Sequence, residues 1–490
     1  MEKSEGKISS RKSLTILFYC NRMNERHSTA VEQKAKGKIL SAFLICIRLQ
    51  PHECAKAQIG AKMKRYLMIF MLVIMVTFCI SCGKGPGNTA SDKEEFTDSL
   101  TETGSGLARQ VGPSEEIRIY RGEEYISLKE DTADIRWYDC RNMDKKEKAL
   151  LEGCVPNITF NEETVFPEEM SDTFPAKEYL EAGKKPGLGV EALHEQGITG
   201  KGVSIAVIDQ VLYTGHPEYA SKLALYEEMH VTPNQTGSMH AAALASLSVG
   251  DSCGVAPDAK LYFWGLDNVL SWKEDGENNL AWEEYARVID RIIEVNKTLP
   301  ENDKIRVIAI ARGYDFTGDE EEDKRLQVML DAVERAKKEG IFVLTTSTEQ
   351  NYDFFSDYQT EAPFAGLGKI DPAADPDSVD NYTLGAWQWS SPDMFANSLL
   401  VPMDGRTTAD MSGDTYVYYA DGGWSWTVPY VAGVYALCCQ VRADMTPEEF
   451  YHAAMETSTE ITRMQPGGSQ SCTFHVINPQ ALISCLQEER

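Results

Sequence analysis

The sequence predicts an α/β fold: a parallel sheet with helices on both faces, preceded by a small N-terminal region. Three observations predict it. Short aliphatic runs recur at 203–208, 260–264, 305–311 and 341–345, the composition of strands buried on both faces. Helical periodicity fills the intervals. Over 281–299, Tyr285, Val288, Ile289, Ile292 and Ile293 recur at three- and four-residue spacing, and over 320–339 Leu326, Met329, Leu330, Val333 and Ala336 do the same. Strand and helix therefore alternate, which favours a parallel sheet and places candidate chemistry at the carboxyl ends of its strands.

The elements follow in order. Gly200-Lys201-Gly202 leads into the first strong strand, Val203-Ser-Ile-Ala-Val-Ile208, which ends on Asp209. Gly340 stands where a helix C-terminus favours glycine, just before the strand at 341–345. Thr446-Pro447-Glu448-Glu449 is a capping box with proline at the first helical position. Residues 186–490 form one folded domain on this reading. Residues 116–185 mix short apolar runs with Pro, Asn and Glu, and suggest strands and turns rather than a long helix.

The upstream part differs. Of 48 Lys/Arg and 75 Asp/Glu, residues 1–82 hold 14 and 5, so that segment is basic inside a chain of net charge −27. Met63 is followed by Lys64 and Arg65 and an apolar stretch from Leu67 to Ile80, too short for a comfortable membrane span and suited to a signal-peptide core. It ends Cys79-Ile80-Ser81-Cys82-Gly83, similar to the lipobox of bacterial lipoproteins. The resemblance implies lipidation at Cys82 and an extracytoplasmic chain tethered to the membrane, or a secreted one. Cys79, where the lipobox usually has Leu, departs from it. Residues 1–62 read as an over-long start upstream of a natural initiator, the alternative being a cytoplasmic extension. Residues 83–115, rich in Gly, Ser, Thr and Glu, read as a flexible tether.

At 490 residues, 42% hydrophobic and 25% charged, the composition is that of a globular chain, and its acidity argues against nucleic-acid binding through a general basic face. The one CxxC spacing, Cys79-Ile80-Ser81-Cys82, lies in the signal-like segment, and after it no CxxC pair or Cys/His cluster has zinc-site spacing. Seven cysteines follow Cys82, an odd number; Cys140 with Cys154 and Cys472 with Cys485 could pair in an exported protein.

Three residues carry chemistry together that none carries alone. Asp209 ends a strand and faces the sheet crevice, where a turn-forming Asp is the bland reading. His240 opens an Ala-rich run, Ala241-Ala-Ala-Leu-Ala245, whose small residues let a helix pack closely. Ser425 lies in Gly422-Gly-Trp-Ser-Trp-Thr-Val-Pro-Tyr-Val-Ala-Gly433 at a helix entrance, where most serines are simple N-caps. The order Asp, His, Ser is one of the known orders of the acyl-transfer triad.

With these motifs the sequence resembles the subtilase family of serine peptidases. The segment from Val203 to Asp209 with His216-Pro217-Glu218, the segment Gly254-Val-Ala-Pro-Asp258, and Gly423-x-Ser425-x-x-x-Pro429-x-Val431-Ala432-Gly433 are similar to family motifs, the last at six positions. The resemblance runs over roughly 186–460 in consistent order. It implies a subtilisin-like fold, a peptide or protein substrate, and catalytic roles for Asp209, His240 and Ser425.

The departures are specific. The family's oxyanion asparagine falls, on an ungapped count from Gly340, at Thr348-Glu349, and an ionised Glu349 cannot donate a hydrogen bond. Thr348, Gln350 or Asn351 are the substitutes if the loop shifts. Ala311-Arg312-Gly313 takes the place of the substrate-pairing strand; Arg312 either biases the pocket toward acidic side chains or faces solvent. Trp424 and Trp426 flank the serine where the family has Thr and Met. Calcium is common in the family, and no carboxylate loop here is assigned to it. The alternative reading is a catalytically weak or inactive subtilase fold that binds peptides or proteins at the envelope.

Overall fold

The computed structural model describes residues 96–114, 127–128, 131–171, 173–267, 269–272, 278–468 and 471–488. The signal-like segment 63–82, Cys82 and residues 1–62 lie outside them.

The centre is a seven-stranded sheet. Its strands are β1 (Thr97–Ser99), β2 (Gly106–Leu107), β3 (Ser204–Asp209), β4 (Leu223–Val231), β5 (Lys260–Gly265), β6 (Ile305–Ile310) and β7 (Phe342–Thr345). The order is β1-β4-β5-β3-β6-β7, with β2 also on β4. All pairs are parallel except β1 with β4. The four aliphatic runs are thus adjacent strands.

Strand alternation divides the core. Ile205 and Val207 of β3 point to the side covered by α1 (Met239–Val249) and by the later helix at Thr427–Val441. Ala206 and Ile208 point to the side covered by α2 (Trp282–Thr298) and α3 (Glu320–Lys338). The α2 and α3 boundaries fall within one or two residues of those the periodicity predicts. The Thr427–Val441 helix is α4, and Gly433 lets it approach closely: a Cβ there would stand 2.5 Å from Val255 Cβ. The expected capping box opens α5 (Pro447–Glu456), with both reciprocal hydrogen bonds formed.

Three expectations are corrected. Part of the expected tether is sheet, since Thr97 pairs with Val231 and Gly106 with Leu225. Strands of two and three residues are too short to leave a period in the sequence. Residues 131–184 contain two nine-residue helices, Lys145–Gly153 and Ala176–Lys184. This region is also tied to the later chain: Phe160 pairs with Tyr418 and Asn161 with Val417 in a five-stranded sheet. Finally, neither expected disulfide is formed. Cys140 and Cys154 are buried thiols, with Cys154 Sγ donating to the Leu150 carbonyl, and Cys472 and Cys485 are half-buried thiols.

Candidate active site

Asp209 is the last residue of β3 and His240 the second residue of α1. The helix begins where it does because Ser238 caps it, its Oγ accepting from Ala241 N at 3.1 Å. The cap is anchored in turn: Ser238 N donates to the Val211 carbonyl at 2.8 Å, two residues beyond Asp209. Gly237 is required there, since a Cβ would meet Tyr213 N at 2.7 Å. This stitching brings His240 Nδ1 to 2.9 Å from both carboxylate oxygens of Asp209. The carboxylate side chain is 8% exposed and the imidazole 18%, so the pair is sheltered yet reachable.

Ser425 sits on the single turn Trp424–Trp426 that leads into α4, entered through Gly423 at φ 71°. Gly422 admits the turn, because a Cβ would stand 2.2 Å from both the Met403 carbonyl and the Trp426 ring. Ser425 Oγ donates to the Ala311 carbonyl at 3.5 Å, and no hydrogen bond joins it to His240 among the described residues. The turn and the histidine do meet through Trp426, whose ring lies 5.4 Å from the imidazole. Catalytic hydrogen bonds are often long before substrate binds. Both tryptophans are tied into aromatic clusters, Trp424 with Trp387 and Phe395, Trp426 with Tyr419. Trp424 Nε1 also donates to the Phe364 carbonyl.

Ala311, Arg312 and Gly313 follow β6 and remain partly exposed. Thr346 N donates to the Arg312 carbonyl at 3.3 Å, so this segment runs beside the chain leaving β7.

The residues after β7 separate into two kinds. Thr348 is buried and spends its hydroxyl within its own turn, accepting from Thr345 N and donating to the Thr345 carbonyl. Gln350 Nε2 donates to the Tyr314 carbonyl at 3.0 Å, and Asn351 Oδ1 accepts from the Tyr314 hydroxyl. Thr348 therefore holds its own turn, and Gln350 and Asn351 tie that turn to the chain after β6. Glu349 instead lines a small cavity of about 10 Å³ with Thr348, Phe364, Trp424 and Thr427, so it borders the turn that carries Ser425. Its Oε2 is buried and finds no hydrogen-bond partner among the described residues. Burial pushes this carboxyl up to about 7, against its own backbone bond, and Asp315 and Glu361 push the same way. The carboxylate expected at this position is thus shifted toward its protonated form.

The sequence reading missed Asp404. It is fully enclosed beneath the serine turn, Oδ1 accepting from Gly422 N at 3.0 Å and Oδ2 from Ala386 N at 3.3 Å. Burial first, then Asp421, hold it well above the usual carboxylate range. No spacing signal marks it, because its role depends on the fold. Among the described residues no group of three or more His, Cys, Asp or Glu side chains is placed to hold a metal ion.

Residues 200–386 match the family described as the Subtilase family, Peptidase_S8; this span includes Asp209, His240 and Glu349 and ends before Ser425. Subtilisin E of Bacillus subtilis is 26% identical over 207 residues, 40% of this chain and 49% of that protein, and subtilisin J of Geobacillus stearothermophilus matches at the same identity and coverage. The chain spans about half the length of the curated relatives it matches. Among solved structures, the prenylagaramide maturation protease PagA aligns over 62% of this chain with TM-score 0.40 and 17% identity, covering 99% of its own chain. Proteases from Pseudoalteromonas arctica align over 64% of this chain and 97% of theirs, with TM-score 0.41 and 16% identity.

Proposed function

We propose that this chain is a subtilisin-like serine endopeptidase that cleaves peptide or protein substrates by acyl transfer through Asp209, His240 and Ser425. The observation that carries the proposal is the hold of Asp209 on His240 Nδ1 at 2.9 Å. It sits beside a glycine-entered helix turn that presents Ser425.

The chemistry follows from that hold. With Nδ1–H donating to the carboxylate, the neutral imidazole keeps its lone pair on Nε2, the nitrogen free to act as base. Ser425 Oγ attacks the substrate carbonyl as its proton passes to Nε2. The imidazolium so formed is stabilised by Asp209 and then gives the proton to the leaving amine. Water repeats the cycle on the acyl-enzyme. An extended substrate would pair with the partly exposed 311–313 segment, whose backbone runs at the edge of the site.

A fluorophosphonate probe tests this. The folded protein should label, and Ser425→Ala should abolish labelling and peptide hydrolysis together. A folded wild-type protein that neither labels nor hydrolyses peptides supports the inactive binding module instead.

Export and membrane anchorage belong to the same proposal and rest on Cys82 and its lipobox-like context. Cys82→Ser should move the protein from the membrane fraction to a soluble extracytoplasmic form. Unchanged fractionation sinks the anchor and leaves the peptidase reading intact.

A further inference from the structure

We infer that the Glu349 carboxyl, in its neutral protonated form, is the side-chain hydrogen-bond donor to the oxyanion that forms when Ser425 attacks. The inference rests on the peptidase reading and goes beyond it by assigning a catalytic residue and a working pH range.

Glu349 lies in the middle of the turn Thr348–Gln350 after β7 and shares its cavity with Trp424 and Thr427, which bracket Ser425 in the chain. Its Oε2 is buried and has no partner among the described residues. Burying a partnerless oxygen costs far less in a neutral carboxyl than in a carboxylate, and the neutral acid keeps an O–H to give when a partner arrives. The neighbouring candidates are engaged elsewhere. Thr348 bonds within its turn, and Gln350 and Asn351 are turned to Tyr314. Asn351 Nδ2 has no partner either, but Asn351 does not line the cavity beside the serine turn.

The surroundings favour the neutral form. The charged groups acting on Glu349 are Asp315, from the chain after β6, and Glu361, from the chain before the strand Phe364–Lys369, and both are acidic. Tyr314 contributes a neutral phenol, itself pushed above its ordinary range by burial. The β7 residues Leu344 and Thr345 and the α4 residues Thr427, Val428 and Val431 that face the cavity carry no charge. With the carboxyl pushed up to about 7, it is mostly protonated at mildly acidic pH.

The step balances. The Ser425 Oγ–carbon bond forms, the carbonyl π pair moves onto oxygen, and the Ser425 proton goes to His240 Nε2. Glu349 donates its O–H to the oxyanion and keeps its proton. When the carbon–nitrogen bond breaks, the oxyanion pair re-forms the carbonyl, and the His240 proton leaves with the amine. Glu349 is unchanged at the end. The backbone N–H of Ser425 supplies the second donor. An ionised Glu349 donates nothing and repels the developing charge, so activity falls as Glu349 ionises on the alkaline side.

The test is the pH profile of kcat/KM for a peptide substrate, measured on wild type, Glu349→Gln and Glu349→Ala. Wild type should fall about tenfold per pH unit above 7, toward a floor set by the backbone donor. Glu349→Gln carries a permanent donor and should lose that alkaline fall. Glu349→Ala should lose on the order of 10²–10³ in kcat near pH 6 with little change in KM, and also show no alkaline fall. A wild-type rate level from pH 7 to 9 overturns the inference without any variant. So does a Glu349→Gln enzyme that retains the alkaline fall, or a Glu349→Ala enzyme as fast as wild type at pH 6. If wild type shows no hydrolysis and no Ser425-dependent labelling at any pH, the peptidase reading fails and the donor falls with it. If wild type is active with the wrong profile, only the donor fails.

Discussion

The two sides of the candidate site are built on opposite principles. On the side of β3 and α1, the polar atoms that orient the imidazole are already occupied, and only Nε2 is kept open for the reaction. Asp209 holds His240, Ser238 caps the helix that carries it, and the backbone of Ser238 is tied back to Val211. On the side of β7 and the serine turn, polar atoms are left uncommitted. Ser425 Oγ makes one long contact, and Glu349 Oε2 makes none. An imidazole must be held in one tautomer before the reaction begins, so its partner has to be permanent. A donor to an oxyanion meets its partner only after attack, so it must wait without one. The contrast therefore distinguishes groups that orient from groups that react.

The largest effect should come from breaking the committed side. Asp209→Asn keeps the shape of the side chain but can present an amide N–H to Nδ1, which favours the tautomer with the proton on Nε2. The serine then lacks a base. A loss of about 10⁴ in kcat is expected at neutral pH, with KM little changed. Steady-state kinetics on a peptide substrate read it directly. A loss below tenfold would mean that Asp209 is only a strand-ending carboxylate, and the comparison between the two sides would lose its first half.

How much of this was legible in the sequence follows from where each signal is stored. Runs such as 305–311 and the stripe over α2 are local patterns, and they gave strands and helices at nearly the observed bounds. Asp209 and His240 were legible because each sits at the edge of such a pattern. Strand β4 was not, because Glu227 and Glu228 interrupt its apolar character. Both are buried in the fold, Glu227 against Arg291 at 2.8 Å and Trp264 Nε1 at 2.9 Å, Glu228 against Arg109 at 2.7 Å. Those partners lie more than 30 residues away, beyond any local period. The same limit applies at the site. The position of Glu349 could be counted from Gly340, but its protonation depends on enclosure by Phe364, Trp424 and Thr427. Asp404 escaped notice for a similar reason, since only the fold slides it under the Gly422–Gly423 backbone.

A smaller effect should sharpen the uncommitted side without any substrate. Glu349 is pushed up to about 7 in the folded chain, whereas in the unfolded chain it titrates near the ordinary 4.5. Between those values the folded state binds the proton that the unfolded state releases, so stability must fall as pH rises. The stabilisation is therefore full below about 4.5 and is lost as pH climbs through about 7. Each tenfold gain in proton affinity on folding is worth about 1.4 kcal/mol, so the whole effect is roughly 3 kcal/mol at most. Asp404 works in the same direction, so wild type should lose melting temperature from pH 5 to pH 8.5 by more than Glu349 alone explains. Glu349→Gln removes only the Glu349 share. The variant should melt within a degree or so of wild type at pH 5 and a few degrees above it at pH 8.5. Thermal unfolding on Ser425→Ala backgrounds avoids self-digestion and isolates the Glu349 contribution. A difference between the two proteins that is the same at both pH values would mean the carboxyl is not buried as a neutral acid. The two sides of the site would then differ only in hydrogen-bond count, not in the state of their protons.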